Sequence, residues 1–160
     1  MSETATLTAS VTYQEESFDE VYPEVEDMLK AHWHEIAQDQ DKMPLDVNVE
    51  AYRNLERAGG LSIVTMRVHG VIGGYFVSFL HYPLHYQSTL CAEVDIYYVK
   101  PEYRHQALGL NLFWQAEHFL KARGVKKVFA GTKVYQDASA LFRGLRWTET
   151  ETLFTKWIGD

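Results

Sequence analysis

Cysteine is almost missing from this chain: Cys91 stands alone among 160 residues. An internal disulfide is therefore impossible, which fits a reducing compartment and a cytoplasmic location. Long hydrophobic runs are missing too. None approaches the roughly 18 residues that cross a bilayer, so no spanning helix and no membrane partner are expected. The opening MSETATLTAS has neither a basic start nor an apolar stretch, and so does not read as a secretory signal. Positive charge is scarce. Lys and Arg number 15 against 22 Asp and Glu, a net charge of −7, which argues against nucleic-acid binding. Repeats, low-complexity tracts and linkers are also lacking, so residues 1–160 read as a single domain.

What is there suits a globular protein with a real core: 46% of residues are hydrophobic and 23% charged. The charge is uneven. Residues 15–50 are crowded with Glu and Asp and hold only Lys30 and Lys42 as bases, whereas Arg104, Lys121, Arg123, Lys126 and Lys127 lie after Lys100. An acidic half beside a basic patch would suit a cationic acceptor and an anionic cofactor. The plainer reading is a solvated acidic helix face.

Periodicity gives the order of elements. Residues 7–13 alternate like an edge strand. Ser17 and Glu20 form a capping-box pair, and Val21, Val25, Met28, Leu29, His32 and Ile36 mark one helical face. VNVEAYRNLER reads as a second helix stopped by Gly59 and Gly60. Two β-rich runs around His69-Gly70 predict a hairpin, and residues 88–99 predict a central strand in which Cys91 is buried. Helical spacing then runs from about 105 to Ala122 and ends at Gly124. A short strand near KKVFAGTKV, a short helix capped by Asp137, and an alternating strand in RWTETETLFTKWI complete the chain. The step from strand 88–99 through its helix to the next strand is long enough for a right-handed parallel crossover.

Within this order, residues 103–113 read YRHQALGLNLF. Small residues Ala107 and Gly109 sit where a strand hands over to a helix. Either they serve close packing, or they let an anion approach the unpaired N–H groups of the helix's first turn. Two carboxylates, Glu93 and Asp95, lie two apart on the preceding strand and so share a face. Their repulsion would raise one pKa toward that of a useful base; ordinary salt bridges or hydrogen bonds are the alternative.

The stretch AEVDIYYVKPEYRHQALGLNLF resembles the core motif of the GNAT acyltransferase superfamily, in which a strand and Val-x-Pro-Glu-Tyr-Arg lead into Arg/Gln-x-x-Gly-x-Gly/Ala and a helix. RVHGVIGGYFVSF resembles the family's hairpin, and ALFRGLRWTE its closing helix–strand unit. The likeness covers residues 60–150 best and is nearest in character to phage-borne members. It implies an α/β (α+β) fold. The sheet would be mixed, mostly antiparallel and six- or seven-stranded, with helices on both faces and a β-α-β acyl-CoA-binding core. It also implies acetyl-CoA as co-substrate and a primary amine as acceptor.

By the same resemblance, the pyrophosphate would rest on Gln106, Ala107, Leu108, Gly109 and Leu110, with Arg104 at the rim. The pantetheine arm would pair with Tyr97, Tyr98 and Val99, and the acyl oxygen would meet backbone N–H groups of that strand. The amine attacks directly, and Glu93 or Asp95 takes its proton. Two positions depart from the pattern. Ala107 replaces a glycine, and Phe142 replaces the tyrosine that protonates the leaving thiolate, so that Tyr135 or Tyr97 is the available substitute. Both departures also suit a member that binds CoA and does no chemistry.

Metal binding is not expected. His32 and His34 lie about 200° apart on a helix, and Pro83 keeps His81 and His85 off a regular one. His32 continues the apolar stripe, as a core or cleft histidine would. Tyr82, His85 and Tyr86, in the loop before the central strand, are candidate substrate contacts; a loop packed by its own aromatics is the other reading. Trp33, Trp114, Trp147 and Trp157 are expected in the core or at a dimer interface, and family likeness suggests a homodimer.

Overall fold

The computed structural model describes residues 10–104 and 107–159. Gln106, one of the expected phosphate contacts, lies outside the described residues, as do positions 7–9 of the expected first strand. Strand β1 is Val11–Glu15, slightly later than the alternation suggested.

Helix α1 (Phe18–Ile36) begins where the sequence places its cap: the Ser17 N–H and hydroxyl both donate to Glu20, at 3.1 and 2.6 Å. Its buried stripe is Phe18, Val21, Val25, Met28 and His32. Helix α2 (Val49–Arg57) is capped by Asn48, whose side chain accepts from the Ala51 N–H. Strands β2 (Leu61–Val68) and β3 (Val71–His81) form the predicted hairpin. At its turn, His69 (φ 51°) and Gly70 (φ 83°) both take the left-handed backbone that a two-residue hairpin turn requires.

Strand β4 is Cys91–Val99, followed by a short 3₁₀ turn at Pro101–Tyr103 and helix α3 (Leu108–Ala122). Strand β5 (Lys127–Phe129) and helix α4 (Ser139–Gly144) follow. Sheet order is β1-β2-β3-β4-β5, antiparallel except for the parallel β4–β5 pair, so the expected crossover is present.

Alternation along the strands builds two cores. On one face Val64, Met66, Phe76 and Ala92 pack beneath Leu112, Phe113, Ala116 and Leu120 of α3. On the other, Ile63, Tyr75, Val77 and Tyr98 pack beneath Phe18, Val21, Val25 and Met28 of α1. Cys91 is buried.

The structure departs from expectation at the C-terminus. The described residues hold five strands rather than six or seven, and residues 148–159 form no regular element. Alternation makes a strand only where an edge is present to receive it. Here β5 is three residues long, and Leu153, Phe154 and Ile158 are left almost fully exposed. None of the four tryptophans is fully buried. Trp33 and Trp147 are half-buried, and Trp114 and Trp157 are exposed.

Candidate active site

The site forms where β4 breaks its own regularity. Val77 of β3 faces Ile96, but the next residue, Ser78, faces Val94, so Asp95 is one residue too many. Such a bulge sends two consecutive side chains to one face. Ile96 and Asp95 both turn toward α1 and α2, whereas Val94 and Tyr97 pack on the α3 side. On the other edge of β4, pairing with β5 stops at Glu93–Phe129. Past that point the two strands part, and backbone groups of β4 lose their sheet partners.

Asp95 stands at the mouth of this opening. Its Oδ2 accepts a 2.6 Å hydrogen bond from Tyr52 of α2. Burial raises the Asp95 pKa above the ordinary carboxylate value; the Tyr52 bond opposes the rise and the Glu93 charge adds to it. Glu93 is exposed and, among the described residues, makes no hydrogen bond or ion pair through its side chain. The two carboxylates therefore share a face, but burial rather than mutual repulsion is the larger cause of the shift.

Helix α3 starts beside the opening. Ala107 occupies its N-cap position, and among the described residues no side chain caps its first turn. A Cβ added to Gly109 would meet only Val99 Cγ2, at 3.6 Å, an ordinary contact. Packing among the described residues thus does not demand glycine there. By contrast, a Cβ on Gly74 would come within 2.8 Å of the Tyr98 carbonyl, so that glycine is required by packing.

Arg104 does not stand free at the rim. Its Nη1 and Nη2 each donate to Glu35 of α1 at 2.8 Å, its Nε donates to the Val99 carbonyl at 2.7 Å, and its guanidinium lies 5.0 Å from the Tyr98 ring. The Val99 carbonyl, expected to pair with an extended ligand, already has a donor. Glu35 is held below the usual carboxylate range by Arg104, and its Oε1 also accepts from Gln136 at 2.9 Å.

Tyr135, expected to be catalytic, donates instead to the Ile36 carbonyl at 2.5 Å. Together with Gln136 it ties the segment after β5 to the end of α1. Tyr97 donates to the Gly131 carbonyl at 3.0 Å, across the parting strands. Its ring meets Phe113 and Phe142 edge-on, and Trp147 closes the cluster while donating to Glu117. Phe142 is thus one wall of an aromatic packing cluster.

His32 is 5% exposed, packs on Tyr98, and shares a 2.8 Å hydrogen bond with Tyr75 through Nδ1. Burial pushes its pKa down to about 4. It packs as a core histidine in this structure. Tyr82, His85 and Tyr86 are exposed in the loop entering β4 at its Cys91 end, opposite Arg104. Sequence reasoning did not find Tyr52, Gln136 or Tyr75.

The model of the acetyltransferase (GNAT) family matches residues 12–145. No curated protein sequence matches the chain. Among solved structures, an aminoglycoside acetyltransferase from an uncultured soil metagenomic sample, in complex with trehalose, superposes with a TM-score of 0.74 at 12% identity, covering 93% of this chain and 95% of its own. A ribosomal-protein-alanine N-acetyltransferase from Brucella melitensis gives 0.69 at 13%, over 94% of this chain and 100% of its own. An aminoglycoside acetyltransferase in complex with a CoA-containing bisubstrate analogue gives 0.65 at 13%, over 94% and 99%. At these identities the likeness concerns the fold, and the names span two kinds of acceptor, an aminoglycoside and a ribosomal protein.

Proposed function

The chain belongs to the acetyltransferase (GNAT) family, whose co-substrate is acetyl-CoA, and we propose that it acetylates a primary amine with Asp95 as the proton acceptor. One observation carries this reading: a carboxylate of raised pKa, solvent-accessible and held by Tyr52, lies at the bulge beside the opening between β4 and β5. A base gains proton affinity when its pKa rises, and desolvation moves Asp95 in that direction.

Acetyl-CoA supplies an activated acyl carbon and a thiolate that leaves readily. The chain's own groups do the rest. The first turn of α3, at Leu108, Gly109 and Leu110, which no described side chain caps, offers N–H groups to a diphosphate. The unpaired edge of β4 past Glu93, through Tyr97 and Tyr98, offers backbone donors to a developing oxyanion. Asp95 takes the proton from the attacking amine. Glu93, exposed beside it, favours acceptors that carry a further positive charge. Tyr97, whose ring meets Phe142 edge-on, is the proton source assigned to the thiolate.

A second reading, a CoA-binding protein with little catalysis, is favoured by one observation: Arg104 is committed to Glu35. Thiol release against a panel of amines separates the two. Asp95→Asn is expected to lower kcat/KM about a hundredfold or more, and Glu93→Gln to raise KM for polyamines. Binding of acetyl-CoA with no thiol released for any amine would leave the second reading standing.

A further inference from the structure

Resting on that reading, we infer that Tyr52 is a positioning residue: it fixes the Asp95 carboxylate so that Oδ1 faces the acceptor amine. As the extra residue of a bulge, Asp95 has no cross-strand partner to steady it. Among the described residues, the Tyr52 hydroxyl is its only side-chain hydrogen-bond partner, at 2.6 Å to Oδ2. Tyr52 itself cannot swing away. Its ring stacks on Phe18 at 5.0 Å with 7° between planes, and it leans on Phe79 at 6.0 Å. A rigid donor thus occupies one carboxylate oxygen and leaves the other to the opening.

The partner's chemistry matters as much as its place. A Lys or Arg here would neutralise the carboxylate's charge and drive its basicity down. A phenol stabilises the charged form more gently. Among the described residues, the groups facing Asp95 are Tyr52 from α2, Glu93 from its own strand and Tyr75 from β3, with no cation among them. Burial raises the Tyr52 pKa strongly, so it stays protonated and acts as a donor and not as a base.

Tyr52→Phe removes one oxygen and keeps the stacked ring. It is expected to lower kcat about tenfold at neutral pH, to move the acid limb of the kcat/KM profile upward, and to leave the amine KM within about threefold. Carbon-13 detection of the Asp95 carboxyl should give a matching rise in its titration midpoint without any turnover. An unchanged midpoint in the variant overturns the inference. Retained activity in Asp95→Asn with a shifted midpoint in Tyr52→Phe would instead remove Asp95 as the base and leave Tyr52's hold on it intact.

Discussion

Arg104 and Glu35, 69 residues apart, meet through two parallel 2.8 Å bonds that join the start of the α3 region to the end of α1. Their side chains are 33% and 25% exposed, so solvent screens the pair only in part. Arg104→Gln and Glu35→Gln should each lower stability by about 1 kcal/mol, and the double variant by little more than either. Urea unfolding of the four proteins checks this; fully additive losses would mean the two side chains act independently.

The two glycine sites should respond in opposite ways. At Gly109 there is room for a methyl group, and alanine favours a helix, so Gly109→Ala should leave stability unchanged or raise it by up to about 1 kcal/mol. The same variant should weaken acetyl-CoA binding about tenfold, read by calorimetry, because the methyl group covers the first-turn N–H groups. Gly74→Ala should cost about 2 kcal/mol or more, since its Cβ would collide with the Tyr98 carbonyl.

His32 makes stability depend on pH. Its folded pKa, about 4, lies below the ordinary value of 6.5. Between those values the unfolded chain binds the extra proton. The contribution of the neutral histidine is therefore complete above pH 6.5 and lost as pH falls toward 4, by about 3 kcal/mol at most. Urea midpoints measured from pH 7 to 4 should fall steeply, and His32→Leu should flatten that slope while lowering the plateau by leaving the Tyr75 hydroxyl unpartnered. An equal slope in the variant would place the effect on other groups.

Local signals were legible in the sequence and long-range ones were not. His69-Gly70, the Ser17–Glu20 cap and the stop at Gly124 are decided by residues a few positions apart, and all three are found. The strand–turn–helix core from β4 to α3 was readable for the same reason. The Tyr52–Asp95 bond spans 43 residues and exists only because of a bulge that no pattern in β4 announces. Arg104 looked free because its partner lies on another element. The C-terminal alternation misled because a period of two describes a strand's faces and says nothing about a neighbour to pair with.

The extra residue in β4 also sets an arithmetic for the rest of the strand. Because Asp95 and Ile96 turn the same way, Tyr97 comes to face Phe113 while Tyr98 comes to face His32. Flattening the bulge with every residue kept would exchange those two destinations, whereas deleting Asp95 would leave a regular strand that keeps them. The strand can therefore lose its one supernumerary position and keep both phenols in their layers, but it cannot keep that position and lie flat.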